Sequence, residues 1–180
     1  MEPKEPLEIR TQMAEMHESV IKRINEAYND KQYIEVCWLC YACFESRVNR
    51  MMEKICSGCS KVERKDNRKI GITRKLECYV RLIRNGYAPM KDENENLVNT
   101  VKGWCKERND LIHGMVSLEF YNDADKKFAS LSKRGKTLVE RMYKLGTDVR
   151  TYYYEAADIP KFPAAVIEKC PLHYKCIKEN

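Results

Sequence analysis

Residues 31–55 read KQYIEVCWLCYACFESRVNRMMEKI, and the spacing of their apolar side chains decides the fold class. Apolar residues recur at alternating steps of three and four, which places them on one face of an α-helix. The stripe consists of Ile34, Cys37, Tyr41, Phe44, Val48, Met51 and Ile55. Charged residues such as Arg50 and Glu53 occupy the opposite face, and Ser57 and Gly58 end the pattern. The stretch therefore predicts a long amphipathic helix with one buried face.

Similar stripes recur along most of the chain. The polar residues 91–96 are expected to lead into the helix that starts at Leu97 and not to belong to it. The other predicted helices are Leu7–Tyr28, Thr73–Arg84, Leu97–His113 and Asp125–Tyr154. Four long amphipathic helices with short or moderate connections indicate an all-α, antiparallel four-helix up-down bundle, with the short helix beside it. We assign residues 1–157 to this bundle and expect residues 158–180 to form an irregular tail that packs on it.

The fifth predicted helix has a glycine where its apolar stripe needs a side chain. The stripe consists of Phe128, Leu131, Leu138, Met142, Leu145, Val149 and Tyr152. Gly135 falls between Leu131 and Leu138, in line with both. A glycine in that place predicts either the close approach of a neighbouring helix or a small kink.

Composition excludes several classes of protein. The 180 residues carry 33 Lys and Arg against 27 Asp and Glu, and 43% of them are hydrophobic, which is more than a disordered chain contains. The longest apolar run, Val36–Phe44, is shorter than the roughly 20 residues of a membrane span. The N-terminus lacks a secretory signal, and nine cysteines, an odd number, fit reduced thiols. We therefore expect a soluble, cytoplasmic protein whose net charge of +6 permits an anionic partner.

The fourth predicted helix carries a charge within its apolar stripe. Arg108 occupies the stripe position between Trp104 and Leu111, where a guanidinium is costly unless it is paired or faces a cavity or an interface. Asn109 and His113 are four residues apart and share one face, and the glycine after His113 is a natural C-cap. These three polar side chains are therefore expected to converge at the end of the helix. In the structural alternative, Arg108 extends to the rim of the core and His113 stabilises the helix dipole.

Residues 107–114 read ERNDLIHG, and Arg108-Asn109-x-x-x-His113 resembles the R-polar-x-x-x-H motif of HEPN-domain proteins. The predicted bundle is similar to theirs, and the motif lies on the helix before the last long one, as in that family. The resemblance implies a metal-independent endoribonuclease that needs no cofactor and acts as a homodimer, with two copies of the motif facing each other across the interface. Met115 stands where some HEPN toxins carry a tyrosine that a partner nucleotidyltransferase modifies, so the sequence does not support that partner.

The resemblance also implies roles for the three residues. His113 would act as general acid or base, Arg108 would bind the phosphate, and Asn109 would orient His113 or bind the substrate. RNA would be cut to 2′,3′-cyclic phosphate and 5′-hydroxyl ends, in bacterial defence, in RNA processing, or as a toxin restrained by a protein antitoxin or regulator. The alternatives are a non-catalytic HEPN module that binds nucleotides or a protein partner, and a helical interaction protein in which these residues are structural.

Basic residues form two groups that are able to contact an RNA backbone. In the first group, between the second and third helices, Lys65, Arg68 and Lys69 are the candidate RNA-binding residues. The second group consists of Lys126, Lys127, Lys133, Arg134 and Lys136. No aromatic residue is interleaved with the first group, so base stacking is not indicated there. A solvated charged face without a ligand is the alternative for both groups.

The cysteines divide into two kinds. Cys37, Cys40 and Cys43 lie along the second helix and are predicted to be small core residues. The remaining candidates for chemistry are Cys56, Cys59, Cys170, His173 and Cys176. These would form a structural zinc site if the end of the second helix and the C-terminal tail meet. Thiols without a metal are the alternative, and the catalytic interpretation needs no metal.

Overall fold

A computed structural model describes residues 7–55, 71–84, 92–115 and 121–155 of the chain. Nearly all of the described residues lie in five α-helices, and none lies in a strand. The helices are α1 (Leu7–Asn29), α2 (Tyr33–Ile55), α3 (Ile72–Arg84), α4 (Asp92–Gly114) and α5 (Tyr121–Glu155). The prediction of an all-α helical bundle is therefore confirmed. The predicted tail, residues 158–180, lies outside the described residues.

The centre of the core lies between α2 and α5, which make the most extensive contact of any two helices in the described part of the chain. The predicted stripe of α2 is buried from Cys37 to Met51, except that Tyr41 is half-buried. Ile34, at the N-terminal end of the stripe, is 37% exposed, so the buried part of the stripe begins at Cys37. None of the described helices combines the length and the apolar content that a membrane-spanning helix needs.

A tight turn joins α1 to α2 and brings them together as a hairpin. Lys31 adopts a φ of 60°, and the amide of Gln32 donates to the carbonyl of Ala27 at 2.8 Å, as in a Schellman motif. Across the hairpin, Nε of Arg23 donates to a carboxylate oxygen of Glu35 at 2.8 Å. A left-handed residue in such a turn is usually glycine. Because the residue here is a lysine, the sequence carries no glycine that would signal the turn.

α4 runs antiparallel to α2, because Trp104 contacts Phe44 while Arg108, one turn later, contacts the earlier residue Trp38. This direction places the C-terminal end of α4 beside the N-terminal half of α2. The helix itself begins at Asp92, about a turn before the predicted start at Leu97. Its first turn contains Asp92, Glu93 and Glu95. These carboxylates stabilise the positive end of the helix dipole, so the expectation that residues 91–96 only lead into the helix was wrong from Asp92 onward.

Gly135 of α5 allows a close approach, the first of the two outcomes that its place in the stripe predicts. A Cβ atom there would lie 2.9 Å from Cζ2 of Trp104 and 3.2 Å from Sγ of Cys40, too close without a shift of either neighbour. The indole fills the space that a side chain at position 135 would need, and its Nε1 donates to the carbonyl of Leu131 at 2.9 Å. The glycine therefore positions α4 against α5 one turn before Arg108.

Candidate active site on helix α4

Arg108 lies on the inner side of α4 and is only 6% exposed. Its guanidinium carbon is 3.9 Å from the centre of the Trp38 ring and 4.7 Å from the centre of the Tyr41 ring. Both distances lie within the range of cation–π contacts, in which the ring face attracts the cation. The side chain therefore does not extend to the solvent-exposed rim, and the charge is held against two aromatic rings of α2.

The guanidinium is poorly provided with partners for a buried cation. Nη1 donates to Oδ1 of Asn109 at 3.0 Å, whereas Nε and Nη2 are buried without a hydrogen-bond acceptor within the described residues. No carboxylate in this part of the chain forms an ion pair with it. Burial lowers the pKa of Arg108, but an arginine remains charged at neutral pH. A buried cation with two unused donors costs stability, which indicates a role beyond packing.

Asn109 and His113 lie nearer the surface than Arg108. Asn109 is half-buried, and because its oxygen accepts from Arg108, its amide nitrogen is left to donate toward a ligand. His113 is exposed on the last turn of α4, and it forms no hydrogen bond with either residue. The amide of Met115 donates to the carbonyl of Leu111 at 3.1 Å and closes the helix there. The structure thus joins Arg108 to Asn109, whereas His113, one turn beyond Asn109, is hydrogen-bonded to neither; the predicted convergence is shown for Arg108 and Asn109 and stays a prediction for His113.

Trp38 is the more exposed of the two aromatic residues of this site that sequence reasoning missed, the other being Tyr41. It lies on α2, is 53% exposed, and one face of its ring covers the guanidinium of Arg108. Nε and Nη2 of Arg108 are buried, and the rings of Trp38 and Tyr41 both pack against the guanidinium that carries them. The sequence held one signal, a tryptophan just outside the buried stripe of an amphipathic helix, where core packing does not require a large ring.

Three large apolar side chains are exposed at this end of the bundle. Ile34, Trp38 and Met115 have exposures of 37%, 53% and 38%. Ile34 lies one turn before Trp38, and Met115 follows the end of α4, which the antiparallel arrangement brings beside the start of α2. We call these three residues the apolar patch. Exposed apolar patches on a protein surface indicate contact with a ligand or another chain.

The second group of basic residues lies on α5, and part of it is already engaged. Nη2 of Arg134 lies 2.5 Å from Oε1 of Glu107, the neighbour of Arg108. Nζ of Lys136 lies 4.3 Å from the centre of the Tyr28 ring. The predicted RNA-binding residues of the first group lie outside the described residues; they are Lys65, Arg68 and Lys69. The contribution of that group to RNA binding stays a prediction.

The cysteines of α2 are core residues, as predicted. Cys37, Cys40 and Cys43 are buried, and so is Cys105 of α4. Burial raises the pKa of the Cys37 thiol to about 12, so it stays protonated and a poor nucleophile at neutral pH. The candidate zinc ligands lie outside the described residues; they are Cys56, Cys59, Cys170, His173 and Cys176. Within the described ranges, no group of three or more His, Cys, Asp or Glu residues is placed to hold a metal ion.

The candidate site thus consists of Arg108, Asn109 and His113 on α4, with Trp38 and Tyr41 of α2 against the guanidinium. Evidence for its function comes from the geometry and chemistry of these side chains. Comparison of the chain with protein-family models, with curated proteins and with solved structures returned no match.

Proposed function

We propose that this chain is a HEPN-type endoribonuclease that cuts RNA at a site built from Arg108, Asn109 and His113. The observation that supports this most is the buried guanidinium of Arg108, which is bonded to Asn109 and has no carboxylate partner within the described residues. Removing a cation from water costs stability; two aromatic rings and one hydrogen bond offset part of that cost here, and an anion would offset more of it. An RNA phosphate is such an anion, and the exposed His113 supplies the group that moves protons.

In this proposal, Arg108 and Asn109 divide the binding of the phosphate. The amide nitrogen of Asn109 donates to a phosphate oxygen, because its own oxygen is occupied by Nη1 of Arg108. The guanidinium lies behind it in a region of low dielectric, where its charge stabilises added negative charge on the phosphate more strongly than it would in water. A direct two-pronged contact through Nε and Nη2 requires a rearrangement that exposes them, for which movement of the half-exposed Trp38 ring is the simplest route.

The reaction is an attack within the RNA strand itself. A base removes the proton of the 2′-hydroxyl, and the 2′-oxygen forms a bond to the adjacent phosphorus. The bond from phosphorus to the 5′-oxygen breaks, and an acid donates a proton to that oxygen as it leaves. The products are a 2′,3′-cyclic phosphate and a 5′-hydroxyl, and no water is consumed. An imidazole near neutral pH is able to serve as either the acid or the base.

A second copy of the chain completes the site in this proposal. The reaction uses one base and one acid, whereas His113 is the only histidine at this site among the described residues. A two-fold pairing would bring in the second His113 from the partner copy. Ile34 and Met115 of the apolar patch offer apolar surface for such a contact. Changing both to lysine should lower the molar mass seen by light scattering to that of one chain and abolish cleavage as well.

The test is cleavage of tRNA and mRNA in EDTA by the wild-type protein and by His113→Ala. Wild type should produce fragments with cyclic phosphate ends, and His113→Ala should produce none while its far-UV circular dichroism stays unchanged. Lys106→Ala is the matched control, because Lys106 is also exposed on α4 and the change removes only a surface charge. It should retain most of the activity. Cleavage by purified His113→Ala at the wild-type rate would refute the assignment.

A different outcome would favour the non-catalytic alternative. Wild type that binds RNA or nucleotides through Arg108 but leaves the RNA uncut would identify a binding module. The same preparation must then be shown to form the dimer, so that the missing activity is not explained by an incomplete site.

A further inference from the structure

The exposed ring of Trp38 is the part of the site to which the cleavage chemistry assigns no role. One face of this ring lies over the guanidinium of Arg108, 3.9 Å from its carbon, while 53% of the side chain is open to solvent. We propose that Trp38 is a stacking platform for a nucleobase next to the phosphate that Asn109 and Arg108 bind. This inference rests on the proposed function, because the base is taken to belong to the RNA that is cut.

The contact with Arg108 prepares the ring for this role. An exposed tryptophan normally loses side-chain freedom when a ligand stacks on it, and that loss weakens binding. Here the guanidinium already holds the indole from one side, so less freedom remains to be lost. Base stacking on an aromatic ring does not depend on the identity of the base, because every base has a π-face. We therefore expect Trp38 to add affinity without strong sequence preference.

The pairing of ring and cation selects a nucleotide over an apolar ligand. A nucleotide carries a flat base and a phosphate joined by one sugar, so both of its recognisable parts lie close together. Trp38 and the pair Arg108–Asn109 present the two complementary groups side by side, a π-face and donors backed by a positive charge. An apolar segment of a protein would satisfy the ring but would leave the buried charge without a counterpart.

Fluorescence provides a direct test because the chain contains two tryptophans, Trp38 and Trp104, and Trp104 is only 2% exposed. Acrylamide added to the free protein should quench the Trp38 emission, since the ring must be accessible before RNA binds. The probe is a short single-stranded RNA with 2′-O-methyl groups throughout, which binds but does not react. It should quench the same emission, whereas an oligonucleotide of equal length without bases should not.

Variants then connect the ring to affinity. Trp38→Ala should weaken binding of the 2′-O-methyl RNA by about 5- to 150-fold, the range observed for loss of one stacked base. Trp38→Phe keeps an aromatic face over Arg108 and should lose less. Met16→Ala is the control, because Met16 is an exposed apolar residue on α1 that belongs neither to the apolar patch nor to the contact with Arg108. It should bind within about twofold of wild type if stacking, and not general apolar contact, is responsible.

Three results would overturn the inference. Equal binding of the RNA with and without bases would exclude stacking. Tighter binding or faster cleavage by Trp38→Ala would show that the ring is only a cover over the donors of Arg108. Resistance of the free protein to acrylamide would show that Trp38 is buried against a second copy of the chain.

The same experiments separate this inference from the nuclease proposal. Quenching by the 2′-O-methyl RNA without cleavage of natural RNA would leave the platform intact and refute the nuclease. Cleavage that depends on His113 but not on Trp38 would leave the nuclease intact and refute the platform.

Discussion

The packing of Gly135 against Trp104 leads to a quantitative prediction about stability. In an exposed helix, replacing glycine by alanine stabilises the protein by about 1 kcal/mol, because alanine loses less backbone freedom on folding. At position 135 the new Cβ would lie 2.9 Å from Cζ2 and 3.1 Å from Cε2 of Trp104, and 3.2 Å from Sγ of Cys40. Adding a methyl group to a packed core of this kind costs about 1–3 kcal/mol.

The neighbours of Gly135 have little room to move. The Trp104 indole is held by its hydrogen bond to the carbonyl of Leu131 and by an edge contact with Phe44, whose ring centre is 5.1 Å away. We therefore expect Gly135→Ala to lower the free energy of unfolding by about 0–2 kcal/mol, the steric cost less the gain in helix propensity.

Gly103→Ala is the matched control, because Gly103 lies in the middle of α4 with nothing within 4 Å of the added Cβ atom. The propensity gain is the same in both variants, so it cancels when they are compared. Urea denaturation followed by far-UV circular dichroism should find Gly135→Ala less stable than Gly103→Ala by about 1–3 kcal/mol. A difference below about 0.5 kcal/mol would refute the packing argument, since it would mean that the indole gives way without cost.

Three further predictions concern other contacts. Burial, and then the charge of Arg47, hold the pKa of His17 below 6.5. As the pH falls below that value, the unfolded chain takes up a proton at His17 more readily than the folded protein does. The free energy of unfolding therefore decreases as the pH falls below 6.5. His17→Phe, which keeps a ring against Tyr143, should reduce the loss of unfolding free energy between about pH 7.5 and about pH 5, and an unchanged loss would contradict this. Arg108→Met should abolish RNA cleavage yet leave the free energy of unfolding within about 1 kcal/mol of wild type or raise it, whereas a loss above about 2 kcal/mol would show that the charge stabilises the fold. Gly146→Ala brings a Cβ atom within 2.5 Å of Cδ of Arg47, a flexible side chain, so urea denaturation should find it within about 1 kcal/mol of Gly103→Ala.

Much of the fold was accessible from the sequence because helix formation follows a local pattern. The alternation of steps of three and four identified each described helix. The gap in the α5 stripe predicted either a close approach or a kink at Gly135, and the structure shows the close approach. The start of α4 at Asp92 was missed, because its first turn is stabilised by carboxylates and not by apolar residues. The connection between α1 and α2 was located to within a few residues, but Lys31 was assigned to the helix and not to the turn, since no glycine marks its left-handed backbone.

For the candidate site, the sequence analysis proposed Arg108, Asn109 and His113 but did not predict their surroundings. A charge in an apolar stripe marked Arg108 as unusual, and its exposure of 6% confirms that it faces inward. The catalytic roles of Arg108, Asn109 and His113 remain a proposal. The contact with Trp38 was not foreseen, and it changes the expected role of Arg108 from direct binding of the phosphate to a charge behind Asn109.

The sequence by itself determined which faces of the helices are apolar and which polar residues share the end of α4, because both follow from the 3.6-residue period of a helix. Only the tertiary structure decided that Trp38 of α2 covers Arg108 of α4. Contacts of that kind depend on the direction in which two helices run and on how far one is shifted along the other. Packing of many side chains at once sets both quantities, and no local period in the chain encodes them.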